Sequence, residues 1–592
     1  MRLGGYRAPP PARWSPPAAG LCPCSTSGKR APYPSAPCSP RPLESLRRLS
    51  VLNAHVRVAV VGECGFVSRQ FPTVVSLEEA KVSVLLSCDV GVGAFLVAED
   101  KGRRWLGRVA EVKMADLYAV ANTPVLSPEQ ELAVGLRLGP KIAVLELVAE
   151  CGGSACGAPA TPVPVHAPVR RPKPGEVGEM LGLPRDGVEL GALALPTGEE
   201  VPGEVVRLPL DALRHHLLVV GTTGSGKTVF VKELALQLAQ AGHRVVALDA
   251  VGHFYHLAYN GLTVNVILPT TARLMRRGPR AVVRRAVAKA AWGRRARYKA
   301  RLYKRGDVFT RAEVEVESPA GRARMRVYPW ALESRDILRH LPRAVSILSQ
   351  QAKMFYKRVL QEAWRKGAPR DAAGLFQFLT SPTGEAGRRP AIMYEAIGAS
   401  LGLHVSTMEN IVRALLSVIE TGLVDVRGEA RVVEPDYREA LSGYAVVDIS
   451  ALGVGQQRLV VYRVLDAVYQ LARPITAVLV DEAHLFFPQT RSEDEQAFLE
   501  ALLTKLTRLG RARGVAVVFA THTPDDLNDV VLQLANTKAV LRSDTKVLEK
   551  LSVPPSERRF IALAERGVAY LWSYAYRVPV YVKVKKRAAH FG

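Results

Sequence analysis

His215-His-Leu-Leu-Val-Val-Gly-Thr-Thr-Gly-Ser-Gly-Lys-Thr-Val-Phe230 is the stretch on which the reading of this chain turns. The apolar run Leu217 to Val220 predicts a short buried strand. Gly221, Thr222, Thr223, Gly224, Ser225, Gly226, Lys227 and Thr228 then fill every fixed position of the phosphate-binding pattern G-x-x-x-x-G-K-[ST]. From Val229 to Ala239 apolar side chains recur at helical spacing, so the loop opens a helix. The glycines let successive N–H groups curl round a triphosphate, and the helix N-terminus adds partial positive charge. In that setting Lys227 reaches the β- and γ-phosphates and Thr228 offers its hydroxyl to Mg²⁺, so ATP and Mg²⁺ are the expected ligands.

A second stretch completes such a site. Thr476 to Val480 is an apolar strand ending Asp481-Glu482-Ala483-His484. Asp481 is expected to hold the Mg²⁺ through water and Glu482 to act as general base on the attacking water, both facing the phosphate loop from the adjacent strand. A helix from Glu495 to Leu509 and the loop Gly510-Arg511-Ala512-Arg513-Gly514 lead into the strand Val515 to Ala520, which ends Thr521-His522-Thr523-Pro524. The tip of a central strand lies beside the γ-phosphate in such folds, so Thr521 or His522 is a candidate sensor. Of Arg508, Arg511 and Arg513, one offered to a neighbouring subunit's nucleotide would stabilise charge in the transition state.

The rest of the chain surrounds this core. A length of 592 residues predicts several domains. The first, residues 1–54, is dense in Pro, Ser and Arg and reads as a disordered tail. Residues 55–200 carry short Val-, Ile- and Leu-rich runs punctuated by Gly, Pro and Asp, the mark of a small β-barrel. Gly157 to Gly175 forms a Pro-rich connector there, with further strands around Val188 to Leu195. Scarce aromatic residues favour an assembly module over an oligonucleotide binder. Alternating strands and helices over 201–268 and 443–560 indicate a parallel α/β sheet. They include a strand Arg244 to Leu248 ending in Asp249 and another ending Val447-Asp448-Ile449-Ser450. Between them, 269–442 reads as a basic and helical insertion. Fourteen Lys or Arg fall within 270–305, either a solvated helix face or a surface for nucleic acid. Residues 333–425 read as helices forming a lid over the nucleotide site; Ser406 to Ile419 with Gly422-Leu423-Val424 faintly resembles a winged helix. Residues 561–592 close the chain.

Charge and cysteines bound the partners and the setting. A net charge of +25, from 80 Lys and Arg against 55 Asp and Glu, predicts a polyanionic partner, with DNA or RNA first. No apolar run is long enough to span a bilayer, and the N-terminus lacks the apolar core of a secretory signal, so no membrane association is expected. The cysteines, Cys22, Cys24, Cys38, Cys64, Cys88, Cys151 and Cys156, have no zinc-ligand spacing. Their odd number suggests mostly reduced thiols and a cytoplasmic setting, although Cys151 and Cys156 flank a Gly-Gly turn suited to a local disulfide.

In order along the chain, the β-rich segment, the Gly221–Thr228 loop, Asp249-Ala250-Val251-Gly252, Val447-Asp448-Ile449-Ser450, Asp481-Glu482-Ala483-His484, Gly510-Arg511-x-x-Gly and the tail Leu563 to Val584 resemble the HerA family of hexameric DNA-translocating ATPases, relatives of the FtsK-type pumps. The resemblance covers about residues 55 to 590. It implies an α/β P-loop NTPase core of RecA/FtsK-like type, an N-terminal barrel that packs subunits into a homo-hexamer, a C-terminal brace on the next subunit, and DNA threaded through a basic channel. It also implies a NurA-like nuclease as partner, in DNA end resection and recombinational repair. By carry-over Lys227 and Thr228 bind phosphate and metal, Asp481 organises the metal, Glu482 activates water and Arg511 acts in trans. The chain departs from the family pattern at Gly252-His253-Phe254, where Gly-Glu-Tyr is usual, and at Thr521-His522, where Thr-Gln is usual. The basic segment 270–305 is an elaboration. Two other readings stand beside the translocase: a protein-moving ATPase of conjugation or type IV secretion, and a slow-hydrolysing nucleotide-binding scaffold.

Overall fold

A computed structural model describes residues 63–67, 74–75, 80–114, 141–153, 155–383, 391–471, 476–490 and 493–591, all within the unit Ala59–Gly592. The tail expected over 1–54, with Cys22, Cys24 and Cys38, lies outside them.

Eight strands open the chain: β1 (Glu63–Val67), β2 (Val74–Val75), β3 (Ala80–Leu86), β4 (Phe95–Asp100), β5 (Arg103–Met114), β6 (Lys141–Gly152), β7 (Ala155–Gly157) and β8 (Pro168–Arg170). They run in the order β2-β3-β1-β8-β4-β5-β6-β7, and a further β3–β6 pairing closes six of them into a barrel. In β6, Ala143, Leu145, Leu147, Ala149 and Cys151 are buried while their neighbours are half-buried, the two-residue period that puts one face inward. Val84, Leu96, Trp105, Val109, Ala143, Leu145 and Val169 fill the interior. Closure leaves most of these strands no open edge for another chain to pair with. Two disulfides staple the barrel, Cys64–Cys88 and Cys151–Cys156, the latter joining directly opposed residues of β6 and β7. The expectation of reduced thiols is thereby corrected. Strand pairing brings Cys64 and Cys88 together across a separation of 24 residues, a proximity that sequence spacing does not report.

The second sheet holds fourteen strands, introduced here in chain order. They are β9 (Val188–Ala194), β10 (Glu200–Leu208), β11 (Leu217–Val220), β12 (Arg244–Asp249), β13 (Thr263–Pro269), β14 (Arg297–Arg305), β15 (Val308–Ser318), β16 (Gly321–Trp330), β17 (Tyr444–Asp448), β18 (Thr476–Val480), β19 (Val515–Thr521), β20 (Thr537–Val540), β21 (Val568–Trp572) and β22 (Val580–Val584). Their spatial order is β10-β9-β22-β21-β20-β11-β19-β18-β12-β17-β13-β16-β15-β14. From β20 to β16 all pairings are parallel; both flanks are antiparallel. β11, β17, β18 and β19 are buried at every residue, as parallel strands covered on both faces must be. The helix Lys227–Gln240 covers one face, with Phe230, Leu234 and Leu238 in the core shared with Val219, Ala247 and Leu479. Five helices, Ser334–Ala344, Gln350–Arg365, Ala372–Thr380, Met393–Ser400 and Val405–Ile419, follow β16. Their apolar residues join Val220, Val246 and Leu248 in the core of the opposite face. They therefore form a layer of the fold across the sheet from the phosphate-loop helix.

Three further placements differ from the sequence reading. β9, read with the barrel segment, belongs to the large sheet, because it pairs with β10 and with β22 from the far end of the chain. β21 and β22 complete the sheet of their own chain. The basic stretch 270–305 is part helix and part strand. The helix Pro279–Ala291 buries Ala281, Val282, Val283, Ala286, Val287 and Ala290 and exposes Arg280 and Arg284. β14 then starts an antiparallel extension whose register opposes Arg297, Glu317 and Arg322 in one row, Lys299, Glu315 and Arg324 in the next, and Arg301, Glu313 and Arg326 in the third. Each acid stands between two bases, so the acids of β15 offset part of this face's charge; exposed pairs such as Arg322–Glu317 at 3.1 Å each contribute little stability. The alternation Val314-Glu-Val316-Glu in β15 is the sequence signal for this extension.

Candidate active site

The phosphate loop leaves β11 at the C-terminal end of the parallel strands. Its conformation depends on glycine at two positions: Gly224 and Gly226 have φ of 81° and 111°, backbone that side-chain-bearing residues avoid. At Gly226 a Cβ would also lie 3.2 Å from the backbone nitrogen of Gly567. Neighbouring strands clamp the loop. Thr222 N donates to Arg542 O beyond β20 (2.8 Å), Ser225 Oγ to Thr222 O (2.7 Å), and Gly567 N to Ser225 O (2.9 Å). Thr223 and Gly224 remain exposed at the crown. Lys227 Nζ folds back to donate to Gly221 O at 2.6 Å and Thr222 O at 3.2 Å. Burial lowers the Lys227 pKa, against the attraction of Glu482 and Asp481. Thr228, the next helical residue, is half-buried.

The expectation that Asp481 and Glu482 sit on the strand adjacent to the loop is corrected by one strand. β19 lies between β11 and β18. Its register pairs Val220 with Thr521 and Val480 with Phe519, so Glu482 stands level with the last residue of β11. Two strand spacings put the carboxylate pair roughly 10 Å from the base of the loop, a gap that the tip of β19 fills. Asp481 is buried, and burial pushes its carboxyl up to about 7, helped by Asp249 and Glu482. Asp249, also buried, is pushed up to about 6. With Asp448 they form three acids at the ends of three neighbouring strands, β12, β17 and β18.

Glu482 carries the conformational mark of this site. Its φ of 51° is in the left-handed region, which side-chain-bearing residues adopt at a cost and which recurs at functional positions. Its Oε2 is 2.8 Å from Nδ1 of His522 and 3.6 Å from Nδ1 of His484. His484 Nδ1 also pairs with Thr521 Oγ1 at 3.1 Å. The imidazole rings of His484 and His522 meet edge-to-face, their centroids 5.0 Å apart. His522 thus meets Glu482 through a direct hydrogen bond, while Thr521 is linked to it only by way of His484.

Arg511 stands apart. It belongs to the loop that enters β19, at the opposite end of the sheet, and β19's seven residues at about 3.3 Å each separate that loop from the β19 tip. It is exposed, and it acts electrostatically on His215, His216 and Tyr574. His216, in the motif's first residues, is structural. It is buried, accepts a bond from Val517 N at 3.1 Å, and burial holds its imidazole down to about 4.

Asp249 has a role that its place in a motif did not reveal. Its Oδ1 accepts from the N–H groups of Val251 (3.2 Å), Gly252 (2.6 Å) and His253 (3.2 Å), and its Oδ2 from Phe254 (2.9 Å). It shapes the turn that starts the 3₁₀ helix Phe254–Asn260. An Asp with a Gly three residues on, at a strand end, is the readable signal for such a side-chain-to-backbone turn.

Among proteins of known name, 135 residues are 28% identical to the HerA of Methanocaldococcus jannaschii, covering 22% of this chain and 26% of that protein. A further 182 aligned residues are 26% identical to the DNA double-strand break repair helicase HerA of Pyrococcus furiosus, covering 24% of this chain and 32% of that protein. The chain thus spans about a third or less of the length of these relatives. Among solved structures, it is similar to VirB4 of Thermoanaerobacter pseudethanolicus (TM-score 0.42, 14% identity, 68% of this chain and 97% of that one). It is also similar to the conjugative coupling protein TrwB (TM-score 0.41, 17% identity, 71% and 93%). The family model of the helicase HerA central domain matches residues 188–468, spanning β9 to β17, and that of the HerA-like C-terminal domain matches 460–546, spanning β18 to β20. Phosphate loop, strand-end acids and the strand between them all fall inside these two consecutive matches, and the chain belongs to the HerA helicase family.

Proposed function

We propose that this chain is an ATP hydrolase that drives translocation along DNA as a homo-hexameric ring, in DNA end resection with a NurA-like nuclease. The observation that carries the catalytic part is the convergence of Lys227, Asp481 and Glu482 at one end of one sheet, close enough for both carboxylates to act on the Lys227 ammonium. The residues fit Mg²⁺ and a triphosphate. Asp481 is a buried carboxylate crowded by Asp249 and Glu482, a cluster whose charge a divalent cation would offset. The loop between Gly221 and Thr228 has a backbone that only glycine adopts readily.

When bound, ATP supplies the anhydride to be split and Mg²⁺ screens its charge. Lys227, now bonded to Gly221 O and Thr222 O, would turn its ammonium to the phosphate oxygens. Thr228 and Asp481 would hold the metal. Glu482 orients water and takes its proton. His522 holds Glu482 Oε2, setting where that base points. Arg511 is distant from the nucleotide end of its own sheet and exposed, so its proposed action is on a neighbour's nucleotide. The DNA reading is supported by the net charge of +25 and by the exposed Arg273, Arg276, Arg277, Arg280 and Arg284.

The test is ATP turnover of wild type and Glu482→Gln, with and without duplex DNA, across a salt series. Glu482→Gln is expected to lose about 100- to 10,000-fold in turnover. DNA is expected to stimulate the wild type, with the stimulation falling steeply as salt rises. A rate indifferent to DNA at every salt concentration counts against a translocase. The bond from His522 to the general base favours a second reading, a scaffold that hydrolyses slowly, and equal turnover of wild type and Glu482→Gln would select it.

A further inference from the structure

The last residues of the chain cross the phosphate-loop helix at a cluster that nucleotide chemistry does not use. Buried Glu233 accepts Arg587 N at 3.0 Å, Arg587 Nε at 2.8 Å and Ala588 N at 3.0 Å. Asn260 accepts Ala589 N at 2.7 Å and donates to Arg587 O at 2.9 Å. These bonds deliver His590 to His253 and His256. The latter two lie three residues apart on the first turn of the 3₁₀ helix Phe254–Asn260, where such positions eclipse and their rings share one side. One ring nitrogen from each of the three lies within 4.8 Å of the other two.

Two observations on this cluster point to a ligand. His256 is fully buried, yet its Nε2 has no hydrogen-bond partner, and neither has the buried Nδ1 of His253; such atoms are rare because they lose water and gain nothing. The other face of the cluster is already turned toward a positive group: the Nδ1 atoms of His256 and His590 each lie 3.3 Å from Nζ of buried Lys232. Trp292 and Phe591 pack against the rings, at 4.7 Å from His253 and 4.6 Å from His256, while His253 and His590 stay half-buried and leave the ion a way in.

We propose that His253, His256 and His590 form a binding site for a transition-metal ion of the Zn²⁺, Ni²⁺ or Cu²⁺ class, tying the end of the chain to the turn that follows β12. The donor set is imidazole nitrogen throughout, with neither the oxygen ligands that Mg²⁺ and Ca²⁺ require nor thiolate. Nitrogens bound to one such ion at about 2.0–2.1 Å stand closer together than the present outer limit, so small ring rotations complete the site. At His256 the ion replaces the Nε2 proton, which leaves for solvent. Lys232 passes a proton to Nδ1 of the same ring and stays bonded to it as an amine, so that the metal-bound imidazole has an outer acceptor; the Phe591 N–H that this Nδ1 accepts at 3.3 Å is released in exchange. One proton is released per ion at this ring. The usual family residue at position 253 is Glu, so this chain's departure there supplies a ligand.

The experiment uses the full chain, stripped with chelator and titrated with Co²⁺ at pH 8, followed by Zn²⁺ displacement. One Co²⁺ per chain with visible d–d absorption is expected, and hydrogen exchange should slow over 587–591 on Zn²⁺ addition. His590→Ala, near the chain end and outside every strand, should weaken Co²⁺ binding at least about tenfold, as should His256→Ala. A second group of candidate ligands, Glu482, His484 and His522, is the control: His522→Gln should leave the Co²⁺ bands unchanged. The proposal is overturned by an absence of d–d absorption, or by bands that survive His590→Ala and vanish with His522→Gln. Every readout is independent of ATP turnover, so loss of the hydrolase reading would leave this result standing.

Discussion

Glu482 sits at φ 51° with its carboxylate held by His522, so this carboxylate, the proposed general base, is positioned by a neighbouring strand as well as by its own. If that bond sets the base's aim, His522→Ala should lower kcat about tenfold with KM little changed, while His522→Gln, which keeps a donor, should restore most of it. Unchanged kcat in His522→Ala would show the bond to be incidental. Asp481 makes a separate prediction. Its folded carboxyl is raised to about 7, above the ordinary 3.8, so between these limits the folded state binds more protons than the unfolded one. Stability therefore falls as pH rises through that window. In metal- and nucleotide-free protein, Asp481→Asn should be more stable than wild type at pH 8, by on the order of 1 kcal/mol or more. The difference should vanish near pH 4, and denaturant titration at the two pH values checks it.

Longer elements show the same dependence on distant partners. The helix Lys227–Gln240 begins with Lys227 of the glycine-rich loop and, one to two turns on, carries the buried Lys232 and Glu233 that hold the chain's last residues. Glu233→Ala removes the acceptor of its three bonds to the chain's last residues and leaves the buried Ala588 N–H unpaired, at a cost of about 1–3 kcal/mol. Amide exchange over 585–591 should accelerate in that variant while β22, paired to β21 and β9, keeps its protection. Equal exchange in the two proteins would show that the tail is held by other contacts. β14 to β16 make the complementary point. The basic stretch 270–305 divides between a helix that buries its apolar face and leaves Arg280 and Arg284 exposed and a strand, β14, whose Arg297, Lys299 and Arg301 face Glu317, Glu315 and Glu313 of β15.

Across the whole molecule, barrel and large sheet meet through Arg108 of β5, which binds Glu146 at 3.1 Å and also pairs with Glu557, the acceptor of Tyr581 OH at 2.5 Å. The barrel is stapled internally by Cys64–Cys88 and Cys151–Cys156. Cross-linking stabilises chiefly by restricting the unfolded chain, more for longer loops. The pair separated by 24 residues should therefore contribute about 3 kcal/mol and the pair separated by 5 less. Comparing Cys64→Ser/Cys88→Ser with Cys151→Ser/Cys156→Ser in urea should rank them in that order; the reverse ranking would mean strain, rather than loop entropy, dominates. Among the described residues no helix is long and apolar enough to cross a membrane.

What the order of residues determined by itself is local chemistry. Gly221 to Thr228 defines a phosphate loop because backbone freedom, charge and hydroxyl must follow one another in one turn, and the apolar run before it defines a buried strand. Asp481 and Glu482 were legible for the same reason, as acids at the end of such a run. Tertiary structure alone decided which strands are neighbours. It set β19 between β11 and β18, so that His522 reaches Glu482, and it sent Arg511 to the far end of the sheet. It also drew β9 to β22, closed β3 on β6, and brought Cys64 to Cys88 and His590 to His253. Each of these contacts depends on hydrogen-bond pairing or burial between segments tens to hundreds of residues apart. Spacing along the chain carries no record of such pairings, because the free energy that selects them comes from the closed sheet and the filled core.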